Sequence, residues 1–223
     1  FFLALLLALI QGLTEFLPVS SSAHLLFPSL LFGAKDFGIV FDISVHAGTL
    51  AAVIYYFKKE LLELIRAWMP WTQSRNKESF SLGLNLIVAT LPIVLVGLIA
   101  SDFAESRSTN INSIAWANLV FAGLLYAAFK SSRQSKSLTE LTLFTALIIG
   151  CFQAFAIFPG ASRSGMAITG ALIIGLNIRD TSRFAFLLSI PTILGALLLM
   201  IAKGAYSIAL SDMLIMLTGF IGS

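Results

Sequence analysis

The sequence predicts an all-α polytopic membrane protein with an inverted-topology repeat, in which two re-entrant broken-helix hairpins meet at the midplane. Three observations predict it. Only 14 basic and 11 acidic side chains occur in 223 residues, 11% of the chain, while 58% is hydrophobic; an ordinary soluble domain is roughly 25% charged. The apolar residues fall in long runs, with 19 Phe and a mean hydropathy of +0.94. Two of those runs are too short to cross a bilayer, and each follows a proline.

Other classes fall away. The single Cys151 lies in an apolar run, which excludes a disulfide scaffold or a cysteine metal site and leaves a passive core thiol. The net charge of +3 does not point to nucleic acid, because the basic residues are scattered over short loops. The first ten residues lack the basic flank and cleavage site of a signal peptide, and both ends read as trimmed.

The apolar runs lie at about 1–17, 19–33, 39–57, 81–100, 111–129, 141–158, 162–176, 183–201 and 212–223. A run of about 20 residues at 1.5 Å per residue crosses a core of roughly 30 Å. The runs 39–57, 81–100, 111–129 and 183–201 meet that length and read as full spans, two of them bent at Pro92 and Pro191. Runs 19–33 and 162–176 fall short, and Pro18 and Pro159 close the helices before them. Segments 1–33 and 141–176 therefore read as re-entrant hairpins.

The Lys and Arg positions support that topology. With both hairpins returning to their own side, one face receives Lys58, Lys59, Arg66, Arg75, Lys77, Lys130, Arg133, Lys136, Arg179 and Arg183. The other receives Lys35, Arg107 and Lys203, and Arg163 falls between them. The richer face is cytoplasmic by the positive-inside rule.

Three spans separate the hairpins, so they enter from opposite sides. Pro18-Val19-Ser20-Ser21-Ser22 aligns with Pro159-Gly160-Ala161-Ser162-Arg163, with Gln11 and Gln153 on the preceding helices. His46-Ala47-Gly48-Thr49-Leu50 aligns with Ser189-Ile190-Pro191-Thr192-Ile193. The single membrane domain divides into repeat 1, about 1–129, and repeat 2, about 141–223, whose last span, 212–223, is incomplete. The repeat predicts about one and a half further helices beyond Ser223.

Helix N-termini at the breaks carry free backbone N–H groups and the positive dipole end. Ser20, Ser21 and Ser22 facing Ser162 and Ser164, with Arg163 between, form a receptor for a strongly anionic group, phosphate above all. Capping accounts for one serine, not for five hydroxyls and an arginine at paired breaks. Glu15 and Arg163 each cost at least a few kcal/mol in hydrocarbon, so each calls for a partner or a function. Gln11 and Glu15 share one helix face, and His24 sits one turn into the next half-helix. Together Glu15, Ser21, His24 and Arg163 supply an acid/base or metal-binding carboxylate, a candidate nucleophile, a proton-transfer group and a phosphate clamp.

The segment Gln11-Gly12-Leu13-Thr14-Glu15-Phe16-Leu17-Pro18-Val19-Ser20-Ser21-Ser22-Ala23-His24 closely resembles the first signature of the bacterial undecaprenyl-pyrophosphate phosphatases, the bacitracin-resistance family. Pro159-Gly160-Ala161-Ser162-Arg163-Ser164-Gly165 resembles the second, and Phe41-Asp42 with His46-Ala47-Gly48-Thr49 also looks like the family. The resemblance implies a multi-pass enzyme of the bacterial inner membrane that hydrolyses undecaprenyl pyrophosphate to the monophosphate. This recycles the lipid carrier for peptidoglycan and confers bacitracin resistance. Carried over, Glu15 is the motif glutamate, Ser21 the nucleophile and His24 the motif histidine, with Ser162, Arg163, Ser164 and Gly165 the phosphate loop. A divalent cation, Mg²⁺ or Ca²⁺, is implied, with access from the external face.

Two departures stand out. Gln11 occupies a position where many members carry Glu, so metal binding by Glu15, Gln11 and Asp42 rests on fewer carboxylates. After Arg163 the chain reads Ser164-Gly165-Met166-Ala167, and Thr169 is the candidate to supply the hydroxyl of the usual Ser-Gly-Ala-Thr. Either Glu15 or His24 can serve as base for Ser21, or the same groups orient a water. The alternative function is a transporter or flippase for a polyprenyl phosphate or another anion at the same site. The partners are the lipid substrate and membrane lipids, not nucleic acid; homo-oligomer formation stays open.

Overall fold

Proline and asparagine set several helix ends in the computed structural model, which describes residues 1–69, 76–100, 110–203 and 210–223. Arg75 and Arg107, assigned above to opposite faces, lie outside the described residues. Ten α-helices are described: α1 (Phe2–Thr14), α2 (Ser21–Phe32), α3 (Gly38–Tyr56), α4 (Lys58–Trp68), α5 (Lys77–Ile99), α6 (Ile111–Ser131), α7 (Leu143–Ala154), α8 (Arg163–Ile173), α9 (Ile178–Lys203) and α10 (Leu210–Gly222). Single 3₁₀ turns at Leu138–Glu140 and Phe155–Ile157 flank α7. Helices α3, α5, α6 and α9 are long and apolar enough to cross a membrane, which makes this a multi-pass membrane protein.

The two breaks obey the same local rule. A proline ring clashes with the carbonyl four residues earlier and disfavours helix at the residue before it. Pro18 accordingly leaves α1 ending at Thr14, and Pro159 leaves α7 ending at Ala154 with one 3₁₀ turn beyond. Helices α1, α2, α7 and α8 have 13, 12, 12 and 11 residues, each about 20 Å or less at 1.5 Å per residue. Gly33 closes α2 at φ 62°, a left-handed conformation that suits glycine, with its N–H on Ser29 and that of Ala34 on Pro28.

Two full spans begin earlier than the apolar runs suggest, because asparagines cap them. Asn76 accepts from the N–H groups of Glu78 and Ser79 at the start of α5, and Asn177 accepts from that of Asp180 at 2.9 Å at the start of α9. Helix α4 is an element the apolar-run reading left as loop. Its charges Lys58, Lys59, Glu60, Glu63 and Arg66 interrupt the run, while Leu64 and Ala67 are buried at helical spacing and Trp68 stacks on Phe80 at 4.8 Å.

Packing depends on small residues, as expected where lipid removes the hydrophobic drive between helices. Helices α5 and α7 approach most closely through Ala89, Ala146 and Gly150, where a methyl on Gly150 would strike the Ala89 carbonyl. Asn85 Nδ2 donates to the Leu141 carbonyl at 3.0 Å and ties α5 to the turn that leads into one end of α7. That end also carries the Arg183–Glu60 ion pair at 2.6 Å, so the polar ends of α4, α5, α7 and α9 gather there. The main core joins α3, α5, α7, α8 and α9, and a smaller cluster of Ala4, Leu7, Ala8, Phe41 and Val45 joins α1 to α3. Cys151, expected in a core, is exposed on the outer face of α7.

The second hairpin is pinned where it begins and ends. Lys136 N–H donates to Gly175, and Asn177 N–H donates back to Lys136, a short parallel bridge between the strand leading into α7 and the one leaving α8. Leu138 N–H adds a bond to Asp180 at 3.1 Å.

Candidate active site

Glu15 is the first residue past α1, so its carboxylate points into the break. It is 6% exposed, and hydrogen-bond donors compensate the cost of burying it. Gln11 Nε2, one turn earlier on α1, donates to Oε2 at 2.7 Å, and Ser21 Oγ donates to the same oxygen at 2.6 Å. Arg163, the first residue of α8, donates from Nη2 to Oε1 at 2.7 Å. One carboxylate therefore links both breaks, with Arg163 lying 148 positions along the chain from Glu15.

The tips touch elsewhere as well. Ser164 Oγ donates to the Leu17 carbonyl at 2.9 Å and Ser162 Oγ to the same carbonyl at 3.4 Å. Ser162 Oγ also accepts from Gly165 N–H at 3.2 Å as the N-cap of α8. A Cβ on Gly165 would lie 3.2 Å from that of Pro18, so glycine permits this approach. At the first break Ser20 adopts φ 60°, ψ 87°, a strained conformation for a residue with a Cβ, and makes no side-chain cap. Nothing from Ser20 therefore occupies the first-turn N–H groups of α2. Arg163 Nη1 is buried without a partner among the described residues, as is Gln11 Oε1.

The structure brings Gln11, Glu15, Ser21, Arg163, Ser162, Ser164 and Gly165 together. Ser20 and Ser22 pair with each other at 3.3 Å beside them. His24 has Nδ1 on the Ser20 carbonyl at 2.8 Å and its ring 5.5 Å from Phe27, and neither contact is with Glu15. Thr169 is fully buried and donates to the Gly165 carbonyl at 2.7 Å, inside its own helix. Asp42 lines a separate small recess with Lys35, Asp36 and Phe37. The residue that sequence reasoning missed is His46, whose Nε2 lies 3.6 Å from Glu15 Oε2. A histidine inside a span calls for a partner as Glu15 does, and that signal was present.

The divalent cation finds no protein cage here. Both Glu15 oxygens are engaged, one of them by a guanidinium, and no three His, Cys, Asp or Glu side chains among the described residues could hold a metal. An apolar cavity of about 390 Å³ leads away from the breaks. It starts at Ser22 and Gly160 and passes Gly97 and Gly195 to Leu98 and Met200, near the ends of α5 and α9.

A helical multi-pass membrane protein with a serine, a buried carboxylate and an arginine joined across two facing helix breaks belongs to the class of membrane enzymes and carriers that handle anionic headgroups. The chain belongs to the family described as bacitracin resistance protein BacA, whose model matches residues 4–223. Its similarity to curated relatives agrees. It is 49% identical over 190 residues to the undecaprenyl-diphosphatase of Saccharophagus degradans, covering 85% of this chain and 72% of that protein. To the undecaprenyl-diphosphatase of Alcanivorax borkumensis it is 47% identical over 199 residues, 89% and 75% of the two chains. To that of Teredinibacter turnerae it is 48% identical over 188 residues, 84% and 71%.

Proposed function

We propose that this protein is an undecaprenyl-diphosphatase that hydrolyses undecaprenyl pyrophosphate to undecaprenyl phosphate and inorganic phosphate. The activity returns the lipid carrier to cell-wall synthesis and accounts for bacitracin resistance. The observation that carries the reading is the Ser21 hydroxyl donating at 2.6 Å to a buried carboxylate that Arg163 holds from the other hairpin.

The chemistry follows from those groups. Ser21 Oγ attacks the terminal phosphorus while its proton passes to Glu15 Oε2. The bond from phosphorus to the bridging oxygen breaks, and its electron pair leaves with undecaprenyl phosphate. Water then displaces phosphate from Ser21, and Ser21 recovers a proton. Arg163 Nη1 and the N–H groups at the start of α2 stabilise the equatorial oxygens as charge redistributes. A divalent cation, Mg²⁺ or Ca²⁺, would supply charge neutralisation at the diphosphate, but Gln11, Glu15 and Asp42 do not form a cage for it, and no step here passes through it.

The re-entrant, inverted arrangement belongs to the same reading. The bridge between Lys136 and Leu176 supports a second hairpin that returns to the side it came from, and the contact of both tips at Leu17 supports a shared depth. The apolar cavity suits a polyprenyl chain. It ends near Lys203, on the basic-poor side, which supports headgroup access from the external face of the bacterial inner membrane. Phosphate release from undecaprenyl pyrophosphate by the purified protein in detergent tests the proposal, because no transport occurs there. Release supports the phosphatase; saturable binding without release supports a carrier and overturns it.

A further inference from the structure

We propose that His46 is a positioning residue that acts through Glu15, taking on the proton that Glu15 receives from Ser21. The inference rests on the phosphatase reading, with Ser21 and Glu15 as the attacking pair. His46 Nδ1 lies 2.7 Å from the Asp42 carbonyl oxygen. A carbonyl only accepts, so Nδ1 carries the hydrogen and the neutral ring turns the Nε2 lone pair elsewhere. Nε2 lies 3.6 Å from Glu15 Oε2, a little beyond hydrogen-bond length, and that is the oxygen that accepts from Ser21 at 2.6 Å.

His24 is not equivalent to it. The Ser20 carbonyl holds its Nδ1 and Phe27 flanks its ring. Thus the two histidines are locked in the same way, each by a carbonyl four residues earlier, but the ring of His46 is the one aimed at the carboxylate.

The consequence is electrostatic. A Glu15 that kept the serine proton would be neutral and would leave Arg163, 14% exposed, without its counter-ion. Passing the proton to Nε2 restores the carboxylate opposite Arg163 and places a second cation beside it. As the Ser21 Oγ–phosphorus bond forms, the Oγ–H bond breaks, Oε2 gains the proton, and Nε2 then takes it. The proton returns by the same route when hydrolysis frees Ser21 Oγ. No oxidant, reductant or metal enters the balance.

The test is the rate of phosphate release from undecaprenyl pyrophosphate in detergent by the native protein, His46→Gln and His46→Ala, each checked for a native elution profile. Glutamine keeps a polar group at this position but cannot take a proton. The expected result is a kcat lower by roughly 10- to 100-fold in both variants with KM unchanged, and recovery of His46→Ala, but not His46→Gln, on adding imidazole. A His46→Gln kcat within about twofold of native, or no response of His46→Ala to imidazole, overturns the inference. If neither variant folds, His46→Asn, which likewise cannot take a proton, is measured in their place. A kcat lowered at least roughly tenfold with KM unchanged is expected, and one within about twofold of native overturns the relay. A native protein that releases no phosphate defeats the phosphatase reading instead.

Discussion

At the first break, between α1 and α2, the chain carries Glu15, Ser21 and His24, and α2 buries only Ala23. At the second, between α7 and α8, it carries Arg163 flanked by serines, and every residue from 164 to 172 is buried. The starts of the two return helices differ in the same sense. Ser162 caps α8, whereas Ser20 sits at φ 60° and caps nothing. The two breaks thus divide two tasks between them. The second break is a fixed anchor that presents a guanidinium, and the first is a strained turn that presents the Ser21 hydroxyl. Glu15 joins them, so each should fail in its own way when altered.

The largest effect is expected from the anchor. Arg163→Ala should lower kcat by about 10³-fold while the protein still elutes as native, measured by phosphate release in detergent; Arg163→Lys should stay impaired because a point charge lacks the guanidinium fork. Native rates in Arg163→Ala would break the division of tasks at its clearest point. At the reacting turn, Glu15→Gln should cost about 10²-fold in kcat, since the amide retains Gln11 and Arg163 as neighbours but cannot take the Ser21 proton. An unchanged kcat would move the base elsewhere, His24 first.

Stability should separate the breaks by a smaller margin. Ser162→Ala removes a cap and should lower unfolding stability by about 1 kcal/mol, whereas Ser20→Ala removes none and should leave the thermal midpoint unchanged. Equal losses would contradict the asymmetry. The smallest effect lies in the turn before α7, outside the four spanning helices. Glu140 accepts from the Ser137 backbone N–H at 2.8 Å and from its hydroxyl at 3.0 Å. The backbone bond, first, and the hydroxyl hold its carboxyl below the usual value of 4.5. A depressed folded value contributes stability above the unfolded pKa, and that contribution is lost as pH falls through the folded one. Glu140→Gln should therefore lower the thermal midpoint slightly at pH 7 and converge with the native protein below about pH 4.5, flattening the acid sensitivity; a thermal-melt series across pH checks it.

Much of this was legible in the sequence where the physics is local. A proline acts on the four residues before it, so Pro18 and Pro159 marked both breaks, and the scarcity of charge made Glu15 and Arg163 conspicuous. What escaped needed tertiary geometry or a different period. Helix α4 escaped because its charges break an apolar run while keeping helical spacing. His46 escaped because its nearness to Glu15 comes from the packing of α1 on α3, across 31 positions of chain. Thr169 has the right chemistry, yet its hydroxyl bonds the carbonyl one turn back.

The central claim is that the two breaks form one site joined at Glu15. A double-mutant cycle on kcat for phosphate release from undecaprenyl pyrophosphate, using Glu15→Gln, Arg163→Ala and the pair, measures it directly. The account predicts that the double variant is no worse than Arg163→Ala alone. Losses that multiply would show two independent sites and contradict it.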